Sequence, residues 1–157
     1  MNKILKNIAI ILLIILLILI GRRIYYSTVY IEADDLYLTK ENSTEQILAN
    51  KGTYSWSDKG THVNVDTVGP TEMEYAKIIE VKKGEKLFFN DCNWTNSTAS
   101  IIISRETKEL AKVSIECNAQ ENYIVIPDIA LGEHFIEIYC ESDKGQVWYS
   151  AKINIVE

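Results

Sequence analysis

The chain is poor in the residues that build metal sites, disulfide scaffolds and nucleic-acid footprints. Two histidines and three cysteines stand among 157 residues. A zinc site needs several His, Cys or carboxylate ligands at set spacing. Here His62 and His134 lie far apart and no Cys-x-x-Cys occurs, so no metal or cofactor is expected. Three cysteines cannot staple a cysteine-dense fold, and the first of them, Cys92, is too far from the N-terminus to carry a lipid there. Bases are also short, with 16 Lys and Arg against 22 Asp and Glu. Nucleic-acid binding needs clustered bases that displace counterions, so no nucleic-acid partner is expected. The chain contains no Gly-x-Ser-x-Gly, no Walker loop, no Gly-x-Gly-x-x-Gly and no His-Glu-x-x-His.

What is present is divided unevenly. Residues 1–23 hold Lys3, Lys6, Arg22 and Arg23, no acid, and an unbroken apolar run from Ile8 to Ile20. The remaining 134 residues carry 12 bases and 22 acids and are acidic in balance. At about 1.5 Å per residue that run is about 20 Å of helix, against a bilayer core of about 30 Å. Extending it to about residues 4–21, with Lys6 and the arginines snorkelling, brings it close to a full span. Residues 1–30 are therefore read as an uncleaved signal anchor, with Tyr25, Tyr26 and Tyr30 at the interface. A cleaved signal peptide is the alternative, but Gly21 is followed at once by two arginines, which leaves no small-residue cleavage site. Charge on the two sides is nearly balanced, so the positive-inside rule barely orients the helix.

Residues 31–51 are polar with scattered apolar positions and read as a stalk, with one short capped turn at 43–48. From Gly52 the pattern becomes short apolar runs between turn residues. Strands are expected at Thr53–Ser57, His62–Thr67, Lys77–Lys82, Lys86–Asn90, Ala99–Arg105, Ala111–Cys117, Tyr123–Ile126, His134–Glu141 and Val147–Val156. Alternation is clearest late, where Ile136, Ile138 and Cys140 oppose Phe135, Glu137 and Tyr139. One buried face per strand at short, even spacing predicts an all-β, antiparallel, immunoglobulin-like sandwich over residues 52–157.

The stretch Gly52-Thr53-Tyr54-Ser55-Trp56, followed by Asp66 and Pro70, resembles a family of small membrane-anchored or lipoprotein-type extracytoplasmic proteins of Gram-positive bacteria, whose activity is uncharacterised. The Gly84 turn, Gly132–Ile138 and Trp148–Ile155 continue the resemblance. It implies a β-sandwich outside the cytoplasm and no particular chemistry. Where those proteins carry cysteines in the first hairpin, this chain has Ser55 and Asn64 or Val65, so no disulfide is implied there.

Three groups of residues are candidates for chemistry or binding. Cys117 and Cys140 share the phase of buried faces and are a disulfide candidate; closing a loop of about 24 residues contributes about 3 kcal/mol in the chain-entropy model. Two small buried thiols are the alternative. His62, Asn64 and Asp66 alternate along one face of a strand, a row that suits a cation or a polar ligand and equally an exposed hairpin edge. Trp56, Trp94 and Trp148, with Tyr54, Phe135 and Tyr139, include several that alternation sends outward. Flat rings among Asn and Ser suit a sugar- or protein-binding face, and the same rings can instead cover the second sheet. The carboxylate pairs Asp34-Asp35 and Glu72-x-Glu74 are the residues a small hydrolase would use. The functional expectation is a non-catalytic, membrane-tethered module with a protein or cell-wall partner at the envelope. A structural or stress-related surface protein is the alternative.

Overall fold

The structure is a computed structural model, which describes residues 3–28, 31–58, 60–90, 93–105, 108–118 and 120–157. Cys92 lies outside the described residues. Two units are present, Met1–Ile31 and Glu32–Glu157.

The first unit is a single helix, α1 (Lys3–Thr28). Its apolar stretch, Lys6–Tyr25, is 20 residues with a mean hydropathy of 2.6. Those residues give about 30 Å of helix, the thickness of a bilayer core. Ile8 and Ile10 through Ile20 are all roughly half exposed, so the helix is apolar around its whole circumference and has no stripe to lay on a protein core. It is long and apolar enough to cross a membrane, and longer than the expected span.

The second unit is all-β, built of two sheets. The smaller contains β1 (Tyr37–Lys40), β2 (Ile47–Leu48), β6 (Lys86–Phe89), β9 (Cys117–Asn118) and β10 (Tyr123–Val125), in the order β2-β1-β6-β10-β9. The larger contains β3 (Asn50–Asp58), β4 (Thr61–Val65), β7 (Asn96–Arg105), β8 (Lys108–Ile115), β11 (Gly132–Ser142) and β12 (Gly145–Val156), in the order β4-β3-β12-β11-β7-β8. Alongside β12, beyond the end of its pairing with β3, runs β5 (Ile78–Lys82) in parallel, with Ile79 opposite Ile153. The runs β6-β10-β9 and β12-β11-β7-β8 reproduce the B-E-D and G-F-C-C′ strand orders of an immunoglobulin-type sandwich, and β1 takes the edge beside β6 that strand A takes there. The β3–β4 hairpin widens the larger sheet on its other side.

All nine expected strands are present, with ends shifted by at most three residues. Two apolar faces close the core. Leu38, Leu87, Ile124 and Ile126 come from the smaller sheet's side; Trp56, Ile79, Ile101, Ile136, Ile138, Tyr149 and Ile153 come from the larger, and none of these exceeds 1% exposure. Burying one such aliphatic side chain is worth about 1.5–3 kcal/mol.

The expected stalk is a correction. Ala33, Leu36, Leu38 and Ala49 are buried, β1 pairs with β6 and β2, and the Ala49 amide donates to the Leu36 carbonyl at 2.9 Å. The β domain therefore begins at Glu32 rather than Gly52. The capped turn expected at 43–48 is instead a bend held by the Ser43 hydroxyl, which accepts from the Glu45 amide at 3.1 Å, leading into β2.

Close backbone packing fixes two glycines. Between the pairs Val147–Tyr54 and Tyr149–Lys51 the register shifts, so Gly52 and Thr53 together face Trp148 in a bulge. A Cβ on Gly52 would lie 2.9 Å from the Trp148 carbonyl oxygen. Gly145 closes the β11–β12 hairpin at φ +150°, where a Cβ would lie 2.0 Å from the Ser55 carbonyl oxygen.

Candidate functional site

Alternation along β11 and β12 leaves one row of side chains on the outer face of the larger sheet. Tyr139 is opposite Trp148, Glu137 opposite Ser150, and Phe135 opposite Lys152. The Tyr139 and Trp148 rings meet at 4.6 Å between centroids, tilted by 54°, and both are half-buried. The Tyr139 hydroxyl donates to Gln146 Oε1 at 3.0 Å, which fixes the ring. Partial desolvation raises the Tyr139 pKa, with the negative charge of Glu141 adding to it.

A loop crosses part of this face. After β4 the chain runs through Gly69 and the 3₁₀ turn Pro70–Glu72 to Tyr75. The Tyr75 hydroxyl donates to the Pro70 carbonyl at 2.8 Å and lies 3.0 Å from the Ser150 hydroxyl, which donates to the Met73 sulfur at 3.1 Å. The Tyr75 ring packs on Phe135 at 5.6 Å. Burial raises the Tyr75 pKa, the Ser150 contact lowers it, and the Glu137 charge raises it.

Two concavities flank the aromatic pair. One, of about 260 Å³, lies under the loop and is lined by Thr53, Thr67, Met73, Ser150, Glu137 and Trp148. The other, of about 370 Å³, lies toward β7 and β8 and is lined by Thr98, Ser100, Ser114, Tyr139, Glu137 and Trp148. Trp148 and Glu137 belong to both and form the ridge between them. Glu137, only 15% exposed, is ion-paired with Lys112, so its charge in the middle of this face is compensated.

The expected binding residues separate into three places. Trp148 is on the ridge. Tyr54 and Trp56 are interior residues, 8% and 1% exposed, because the bulge at Gly52 keeps β3 in phase with the core. Trp94 is half-buried, edge-on to Trp56 at 6.2 Å and to Tyr149 at 6.0 Å. Its Nε1 is buried with no hydrogen-bond partner among the described residues. Three rings the sequence offered to a ligand thus serve packing. His62, Asn64 and Asp66 are exposed on the hairpin. His62 Nδ1 lies 2.7 Å from the Ser57 hydroxyl and its Nε2 3.1 Å from Asn64 Oδ1, while Asp66 accepts from the Thr53 hydroxyl at 3.1 Å. The three satisfy one another and β3, and among the described residues no cluster of His, Cys, Asp and Glu is arranged to hold a metal.

Cys117 and Cys140 are not joined. Cys140 is buried in β11, where its sulfur lies 3.7 Å from the Ser97 hydroxyl, whereas Cys117 is in β9 of the other sheet, paired with Ile124. Burial raises the Cys117 pKa. The acidic pairs do converge in part: Asp35, Glu72 and Glu74, with Glu32, line a separate depression around Lys51. Lys51 engages Glu32 at 2.7 Å and Asp35 at 2.9 Å. Sequence pattern alone overlooked Glu137, although it stands in the outward row of the clearest strand. Nothing local in residues 67–77 marks them as a cover for that row.

The chain matches no protein-family model, and no curated protein matches it significantly.

Proposed function

We propose that this chain is a membrane-tethered binding module of the cell envelope, anchored by α1, with its β domain on the extracytoplasmic side and the outer face of the larger sheet as its binding surface. The Trp148–Tyr139 pair, standing beside two concavities that meet at a ridge of Trp148 and Glu137, carries this reading. Rigid aromatic rings with few rotatable bonds lose little entropy when they are covered, which is why they dominate recognition surfaces. A non-catalytic role agrees with the engagement of Glu137 by Lys112, and of Glu32 and Asp35 by Lys51. The acidic balance of the domain favours neither nucleic acid nor adhesion to anionic lipid. The resemblance to anchored extracytoplasmic proteins of Gram-positive bacteria points to the same placement.

Two experiments test it. Full-length chain in detergent, mixed with solubilised membranes and with isolated wall, is expected to be retained by one of them, and the Trp148→Ala variant is expected to lose that retention. Retention by neither, with wild-type chain folded, defeats the binding role. Protease added to intact cells is expected to remove the β domain; full protection there places the domain in the cytoplasm instead.

A further inference from the structure

We propose that the outer face of the larger sheet binds a neutral, linear glycan whose sugar rings stack on Trp148 and Tyr139 and extend into both concavities. This deepens the reading of that face as a binding surface and rests on it.

Shape is the first argument. The two concavities, about 260 and 370 Å³, each lie near the small end of ligand-site volumes and suit ring-sized units rather than one large compact molecule. They share the Trp148–Glu137 ridge, so a single ligand filling both must cross that ridge as a chain. Linear oligosaccharides have this form, with rigid rings at regular intervals.

Chemistry is the second. Thr53, Thr67 and Ser150 line one concavity and Thr98, Ser100 and Ser114 the other. Each hydroxyl of a sugar both donates and accepts; the Thr53, Thr67 and Ser150 hydroxyls already donate within the protein and offer it acceptor oxygens, while the Thr98, Ser100 and Ser114 hydroxyls serve in either direction. The flat C–H faces of a sugar ring complement the negative faces of the aromatic rings. Tyr139 is held by Gln146 and by Trp148, so the platform is ordered before any ligand arrives.

Charge is the third, and it selects among glycans. Lys112 and Glu137 neutralise each other at the centre of the face. Among the described residues a polyanion finds no free cation there, and it meets a domain with excess acid, whereas a cationic ligand finds Glu137 already engaged. A neutral chain suffers neither penalty.

The test uses full-length chain in a polyoxyethylene detergent, which carries no sugar headgroup. It is titrated with neutral tetrasaccharides of β-1,4-glucose, β-1,4-N-acetylglucosamine, β-1,4-mannose and α-1,4-glucose, with a sulfated tetrasaccharide as the anionic comparison. Calorimetry and tryptophan fluorescence are the readouts. At least one neutral tetrasaccharide is expected to bind and the sulfated one to bind more weakly. Trp148→Ala is expected to weaken binding about tenfold or more, Tyr139→Ser several-fold, and Trp148→Phe to keep most of it. Thermal melts of each variant establish that it is folded; should Trp148→Ala not fold, Tyr139→Ser decides. The proposal is overturned if no neutral tetrasaccharide binds at millimolar concentration, or if folded Trp148→Ala and Tyr139→Ser bind as wild type does. Trp148-dependent retention by membranes or wall without glycan binding removes the glycan and leaves the binding face standing. Loss of both removes both.

Discussion

Lys51 Nζ lies 2.7 Å from Glu32 Oε1, and this contact ties the first residue of the β domain to the third strand. The same ammonium donates to the Ala33 carbonyl at 2.6 Å and meets Asp35 at 2.9 Å, while the Tyr149 hydroxyl donates to the Asp34 carbonyl. Four consecutive residues are thereby fixed on the larger sheet. Lys51 is 13% exposed, and its two carboxylate partners are about half exposed. Replacing it by Met is expected to cost about 1–2 kcal/mol in a urea unfolding experiment, less than for a fully buried pair because solvent screens the acids.

That cost carries a pH signature. Burial disfavours the Lys51 charge, but its bonds to Glu32 and Asp35 prevail, and its folded pKa is raised. A raised lysine stabilises the fold fully below its unfolded value of about 10.4 and loses that contribution as pH rises through the higher folded value. The difference between wild type and Lys51→Met is therefore expected to stay constant between about pH 6 and 9 and to shrink above about pH 11. A difference that already falls between pH 7 and 9 contradicts the assignment.

Gly145→Ala places a methyl group 2.0 Å from the Ser55 carbonyl, where the neighbour is backbone and cannot rotate away. A loss of about 3 kcal/mol or more is expected. Gly52→Ala, at 2.9 Å from the Trp148 carbonyl, is expected to cost less, about 1–3 kcal/mol, and to disturb Trp148 fluorescence as well. Equal melting temperatures for Gly145→Ala and wild type contradict this packing.

The three tryptophans are expected to respond differently. Trp56→Ala removes a ring that is 1% exposed and should cost about 3–5 kcal/mol. Trp94→Phe removes an indole N–H that is buried with no partner among the described residues while keeping an aromatic ring, and should stay within about 1 kcal/mol of wild type. Trp148→Phe should be close to neutral for stability. Thermal or urea unfolding of the three variants checks the order.

Non-reducing peptide mapping is expected to show no cross-link between Cys117 and Cys140. Cys140 should react with an alkylating reagent only on unfolding, and Cys117 slowly at pH 8, because burial holds its thiol protonated. A Cys117–Cys140 cross-linked peptide in the native protein would overturn the unlinked arrangement.

Much of the sandwich was legible because β11 and β12 alternate strictly, and a period of two with one apolar face has few other solutions. β1 and β2 escaped the same reading because they are four and two residues long, too short for a period to register among charged neighbours. The place of β1 is set by β6, some fifty residues away, and that of β2 by β1. The site was legible only in part. Trp94 and Trp148 both stand among polar residues, and no local rule separates them. Trp94 is covered because the chain brings it against Trp56 and Tyr149, and Trp148 is left at the surface because its neighbours on β11 place it there. The covering loop depends on one hydroxyl, Ser150, meeting Met73 and Tyr75, which no spacing encodes.

β12 is bordered by β11 on one edge and by β3 and then β5 on the other, and all three precede it in the chain. As the chain emerges from its N-terminus, β3 and β5 appear long before the strand that joins them, and the edges they offer to β12 stay unpaired until it follows. Pairings such as Tyr54 with Val147 are distant in sequence, which makes closure slow. The chain thus waits as an open half-sheet, and the interval before β12 arrives is when a chaperone or a protease has its longest access to the domain.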